Sequence, residues 1–97
     1  MMYSKEKCIE DIFTCIEEIN ATLPNDSKLE PKIDANLVSD DGIFDSLSLI
    51  NFFVSLEELY KQKGFSLFLL DEDLIVDASG PYKNVESLAN YILSNLD

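Results

Sequence analysis

Asp45-Ser46-Leu47 is the segment whose residue types and spacing come closest to chemistry: a hydroxyl beside a carboxylate, placed just ahead of an apolar, helix-like run. The usual reactive companions of a serine are missing. The 97-residue sequence contains no His, and its seven cationic residues are all lysines: Lys5, Lys7, Lys28, Lys32, Lys61, Lys63 and Lys83. Ser-His-acid triads, His-ligated zinc sites and His general bases are therefore excluded. What remains is carboxylates, hydroxyls, two thiols or a reactive group attached later. Cys8 and Cys15 fall seven apart on a predicted helix, about 10 Å along its axis and too far to bridge each other. With no CxxC and no third ligand beside them, they read as small, buried, reduced apolar residues rather than a redox or metal pair.

Nineteen acidic residues against seven lysines give a formal charge of −12 and a pI near 4.1. Such a chain is no nucleic-acid binder, because phosphate contacts gain affinity by replacing counterions with Lys and Arg. A hydrophobic content of 46% is too high for a disordered acidic tail. The length suits one domain, residues 1–97, with a single small core. Little interior is left for an enclosed catalytic cavity, so a binding or carrier module is expected rather than an enzyme. Met1 to Glu6 lacks the apolar stretch of a signal peptide, and no segment approaches the about 20 apolar residues of a membrane span. A cytoplasmic monomer is expected.

The elements that must position Ser46 follow from periodicity. Ser4 caps a helix over about Lys5–Ala21, with Ile9, Ile12, Phe13, Ile16 and Ile19 at helical spacing and the acids Glu6, Glu10, Asp11, Glu17 and Glu18 mostly on the solvated face. Pro24, Asn25, Asp26, Ser27, Pro31 and Gly42 break periodicity from Leu23 to Phe44. That long loop is expected to be pinned by Leu29, Ile33, Leu37, Val38, Ile43 and Phe44. A second helix starts at Asp45 or Ser46 and ends at Lys61, Lys63 and Gly64. Leu49, Phe52, Phe53, Leu56, Leu59 and Tyr60 form its core face, while Leu47, Ile50 and Val54 make a separate apolar stripe. Phe65 to Leu70 reads as an extended loop against the helices, since no partner strand is in evidence. Asp71 caps one or two helical turns, Ser79-Gly80-Pro81 ends them, and Asn84 caps a last helix carrying Val85, Leu88, Ala89, Ile92, Leu93 and Leu96. The sum is an all-α, small four-helix bundle: three main helices, one short helix, and a long loop between helices one and two.

With the elements in that order, the sequence resembles the acyl carrier protein family and the related peptidyl and aminoacyl carrier domains. The resemblance rests on Gly42-Ile43-Phe44 before Asp45-Ser46-Leu47, Glu57-Glu58 late in the same helix, Asp71-Glu72-Asp73 at the short helix, and Val85-Glu86-Ser87-Leu88-Ala89-Asn90-Tyr91-Ile92 in the last one. It extends over nearly the whole chain, although Asp-Ser-Leu alone is a weak motif. It implies that Ser46 is the attachment point of 4′-phosphopantetheine, transferred from coenzyme A by a phosphopantetheinyl transferase that engages Asp45. The resemblance further implies that acyl-loading and acyl-transferring enzymes dock on Leu47, Ile50 and Val54. Asp40, Asp41, Asp45, Glu57 and Glu58 would steer these basic partners electrostatically. A helix N-terminus suits a phosphodiester even in an acidic protein, and the thiol of the attached group would supply the reactivity the chain lacks.

The departures from the family pattern favour a specialised pathway over general fatty-acid synthesis. Ser48 and Asn51 stand where fatty-acid carriers tend to be acidic, the loop Phe65 to Leu70 is more apolar and lacks a proline before Asp71, and Ala78 to Tyr82 is longer than usual. The cargo, whether fatty acyl, hydroxyacyl, aminoacyl or polyketide, is not legible, because the space between helices reads as lined by interchangeable aliphatics. Three other functions compete, one of them a stand-alone enzyme, whose general acid-base pair would have to be two carboxylates in a cleft that no segment suggests. An acidic helical interaction adaptor without a prosthetic group would use the same Leu47, Ile50 and Val54 stripe. A calcium loop starting at Asp71 fails on spacing, with Val76 where the glycine belongs and Tyr82 where the bidentate Glu belongs. No metal site is expected.

Overall fold

A computed structural model describes residues 3–22, 30–37, 46–75, 77 and 79–96, with the backbone alone for Ser46, Leu47 and Glu72. Four helices follow one another: α1 (Lys5–Asn20), α2 (Ser46–Gln62), α3 (Glu72–Ile75) and α4 (Val85–Ser94). Among the described residues the only β pairing is an isolated antiparallel bridge between Asn36 and Asn84. The chain is an all-α bundle in which α1 packs against both α2 and α4.

Local hydrogen bonds mark the start of α1, the end of α2 and the head of α3. The Ser4 hydroxyl accepts from the Lys7 N–H at 3.1 Å and caps α1. At the far end of α2, the Gly64 N–H reaches the Lys61 carbonyl at 3.0 Å and the Phe65 N–H reaches that of Tyr60 at 2.9 Å. This pair is the Schellman closure, and it needs the left-handed φ of +93° that Gly64 supplies. Its usual apolar contact is present as well, with the Phe65 and Tyr60 rings 6.2 Å apart. The Asp71 carboxylate accepts from the Asp73 and Leu74 N–H groups at the head of α3.

The loop before α2 is held by backbone as well as by apolar contacts. Leu37 is buried, as its pattern suggests, but Ile33 is 46% exposed. Its carbonyl matters more than its side chain: Ile33 O accepts from the Glu86 N–H at 3.0 Å, Ala35 O from Val85 at 3.2 Å, and the Leu37 N–H reaches Lys83 O at 2.9 Å. With Asn84 Oδ1 accepting from Ser87 at 2.8 Å, the free N–H groups of the first turn of α4 all find acceptors. The expected pinning residues Leu29, Val38, Ile43 and Phe44 lie outside the described residues.

The core combines Cys8, Ile12, Cys15 and Ile16 of α1 with Leu49, Phe52, Phe53, Leu56 and Tyr60 of α2 and Val85, Leu88, Ala89 and Ile92 of α4. Between α2 and the segment leading into α4 the packing is aromatic, not the expected layer of aliphatics. The Phe53 and Tyr82 rings lie 4.5 Å apart, and Tyr82 meets Tyr91 edge-on at 5.4 Å. The Tyr82 hydroxyl donates to the Leu69 carbonyl at 2.8 Å, so its burial leaves no polar group stranded. Asp11 is a further departure. It is buried at 4% exposure rather than solvated with the other acids of α1, because the Tyr3 hydroxyl donates to its carboxylate and Lys7 Nζ stands 3.8 Å away.

Candidate functional site

Ser46 is the first residue of the 17-residue α2, so it occupies the helix N-terminus that its sequence pattern implies. Asp45, Asp40 and Asp41 lie outside the described residues, and Leu47 is described only as part of the α2 backbone. The remainder of the apolar stripe faces solvent. Ile50 is 41% and Val54 39% exposed, while Leu49, Phe52, Phe53, Leu56 and Tyr60 on the same helix are buried. The two faces of α2 thus separate as the i, i+4, i+7 count requires, and the Ile50 and Val54 side chains belong to the surface rather than the core.

Two open grooves flank Val54. One, of about 280 Å³, runs between α2 and the chain that follows it, with Val54, Phe65 and Leu67 as apolar walls and Glu57, Glu58 and Lys61 at its edges. The other, of about 290 Å³, lies between α1 and α2, where Cys15, Val54 and Leu59 meet Glu18, Glu58 and Gln62. Glu58 borders both grooves and is exposed. Three lysines are engaged elsewhere: Lys5 with Glu86 at 3.2 Å, Lys7 near Glu10 and Asp11, and Lys32 with Glu30 at 2.9 Å. On α2 itself the charged side chains are Glu57 and Glu58 against Lys61, and Lys63 follows directly after the helix.

Glu57 does something the sequence did not announce. Its carboxylate accepts from the N–H groups of Leu69 at 2.6 Å and Leu70 at 3.0 Å, fastening the extended segment 65–70 to α2. The only advance signal was an acid eight residues before an apolar run whose backbone had no strand partner. Glu57→Ala would leave two part-buried donors without their acceptor. A loss of about 1–3 kcal/mol in denaturant unfolding is expected, with faster amide exchange at Leu69 and Leu70. Unchanged protection at those two amides would show that the clamp is not formed.

The thiols are silent by construction of the core. Cys8 and Cys15 are buried; burial pushes the Cys8 thiol up from its ordinary value, and burial with the nearby carboxylates of Glu18 and Asp11 pushes Cys15 up to about 12. Burial also raises the Tyr60 hydroxyl, which donates to Cys8 Sγ at 3.3 Å. Neither sulfur is positioned as a nucleophile. Among the described residues no three Cys, Asp or Glu side chains cluster as a metal site would require, and no helix is long and apolar enough to cross a membrane.

Compared with protein-family models, with curated proteins and with solved structures, the chain matches none of them.

Proposed function

We propose that this protein is an acyl carrier: Ser46 bears 4′-phosphopantetheine, and the thiol of that group holds acyl intermediates as thioesters for partner enzymes of a fatty-acid-like or specialised biosynthesis. The observation that carries the reading is that Ser46, the serine of the Asp-Ser-Leu sequence, opens a 17-residue helix on which Ile50 and Val54 are exposed. The residues present fit the group. A phosphodiester at Ser46 would meet the positive end of the α2 dipole, and Ile50 and Val54 stand on the outer face of the same helix where a transferase or an acyl-transferring enzyme can seat. Leu47, Asp40, Asp41, Asp45 and Glu58 complete the contact surface in this proposal, while Glu57 contributes charge from a carboxylate already committed to the 65–70 segment. The chain itself is acted upon and performs no catalysis.

The buried thiols make the test clean. The native chain is expected to give no rapid reaction with a thiol reagent at pH 7, and its two cysteines should react only in denaturant. After incubation with coenzyme A and a broad-specificity phosphopantetheinyl transferase, one rapidly reacting thiol per chain is expected under native conditions. No gain would leave the adaptor reading, in which the Ile50 and Val54 stripe binds a protein without any prosthetic group.

A further inference from the structure

Tyr3 precedes α1, yet groups from three parts of the chain meet on it. Its hydroxyl donates to the buried Asp11 carboxylate of α1. Its ring meets Tyr60 of α2 edge-on at 5.6 Å and Phe65, just past α2, at 5.7 Å, while Lys63 Nζ lies over the ring, 5.7 Å from its centre. Burial, and then the Asp11 carboxylate, pushes the Tyr3 hydroxyl well above its ordinary value, so it keeps the proton it donates. A residue just before a helix cap ordinarily packs on the first turns of its own helix. Tyr3 does more, because it also reaches the far end of α2 and the start of the extended segment 65–70.

We infer that Tyr3 is a strap coupling the N-terminal segment to residues 65–70: seated, it holds Phe65 against the end of α2, and released, it lets that segment open locally while the bundle stays folded. The segment is fastened at both ends. At the far end the Glu57 carboxylate takes the Leu69 and Leu70 N–H groups, and the Tyr82 hydroxyl holds the Leu69 carbonyl. At the near end the Phe65 N–H reaches the Tyr60 carbonyl at 2.9 Å, and its ring touches those of Tyr60 and Tyr3. Between them Leu67 is buried but Phe68 points outward at 69% exposure, so the middle of the segment has little apolar hold of its own. The core built by α1, α2 and α4 lies beneath Tyr3 and does not need it as a member. Such coupling is reciprocal. A ligand or covalent group that claimed Tyr3 would loosen residues 65–70 without touching them, and whatever orders those residues holds the N-terminal segment down. The strap lies at the end of α2 away from Ser46 and does not rest on the carrier reading.

Amide hydrogen exchange on the folded full chain tests this, comparing Tyr3→Ala, Tyr3→Phe and Phe65→Ala with wild type. The amides of Ala89 and Ile92 within α4 report loss of global stability. With two edge-on ring contacts gone, Tyr3→Ala should speed exchange at Phe65 at least about tenfold more than at those two, and should speed Leu69 and Leu70 beyond them as well. Tyr3→Phe keeps the ring, so Phe65 should stay within about threefold of wild type on the same scale. In the reverse direction, Phe65→Ala should speed exchange at Lys7 and Cys8, whose N–H groups donate to Ser4 beside the strap. Equal acceleration at every amide in Tyr3→Ala, or none at Phe65, would overturn the inference. So would a Tyr3→Ala chain that does not fold, since a released strap leaves the bundle standing, or a Tyr3→Phe that frees Phe65 as fully as Tyr3→Ala does. Unchanged Lys7 and Cys8 in Phe65→Ala would break the required reciprocity and overturn it too.

Discussion

Tyr82→Ala is expected to destabilise the bundle by about 3–5 kcal/mol, the loss typical of emptying a buried aromatic site. A domain of this length has about 5–15 kcal/mol in total, so this one truncation removes a large share of the margin. Two contributions vanish and a cavity is left. The ring that packs 4.5 Å from Phe53 and 5.4 Å from Tyr91 is lost, the hydroxyl that holds the Leu69 carbonyl at 2.8 Å is lost, and the cavity has α2 on one side and α4 on the other. Tyr82→Phe separates them. It keeps the ring and removes only the hydrogen bond, and because Leu69 O still accepts from the Asp71 N–H, about 0.5–1.5 kcal/mol is expected. Urea unfolding of the two variants beside wild type measures both values. A Tyr82→Ala loss no larger than that of Tyr82→Phe would mean that the aromatic layer is not part of the interior.

Tyr82 also marks the boundary of what was legible beforehand. Helical positions could be read because period and caps are local: Ser4, Asn84 and Gly64 mark helix ends through interactions reaching only a few residues. The division of α2 into a buried and an exposed apolar face was equally local, and Ile50 and Val54 stand outside as counted. The misread residues are those whose environment is made by distant chain. Asp11 has the spacing of a solvated acid, yet Tyr3 arrives from outside the helix and draws its carboxylate inward. Tyr82 sat in what looked like a loop insertion, and only the tertiary fold brings it against Phe53 from α2. Glu57 reads as one more surface acid until the 65–70 segment, lacking a strand to bond with, uses its carboxylate for two N–H groups. Phe68 was part of an apolar run, and its outward direction depends on which neighbours the core accepts.

The absence of His and Arg bears on Ser46 in the same way that burial bears on the cysteines. The sequence holds no His or Arg to activate a serine, and in the proposed role none is needed, since the transferase would supply base and metal and the attached group the thiol. The second large effect is therefore all-or-none. Ser46→Ala removes the one oxygen through which the phosphodiester can form, while alanine as the first residue of α2 suits a helix at least as well as serine, so the fold is expected to stand. A variant that still folds but takes no group separates a lost attachment point from a lost structure.

Intact mass measurement of wild type and Ser46→Ala, each incubated with coenzyme A and a broad-specificity transferase, tests the carrier assignment most directly. Wild type should gain the mass of one phosphopantetheine per chain, and a folded Ser46→Ala should gain none. Wild type without added mass, or Ser46→Ala with it, would contradict the account.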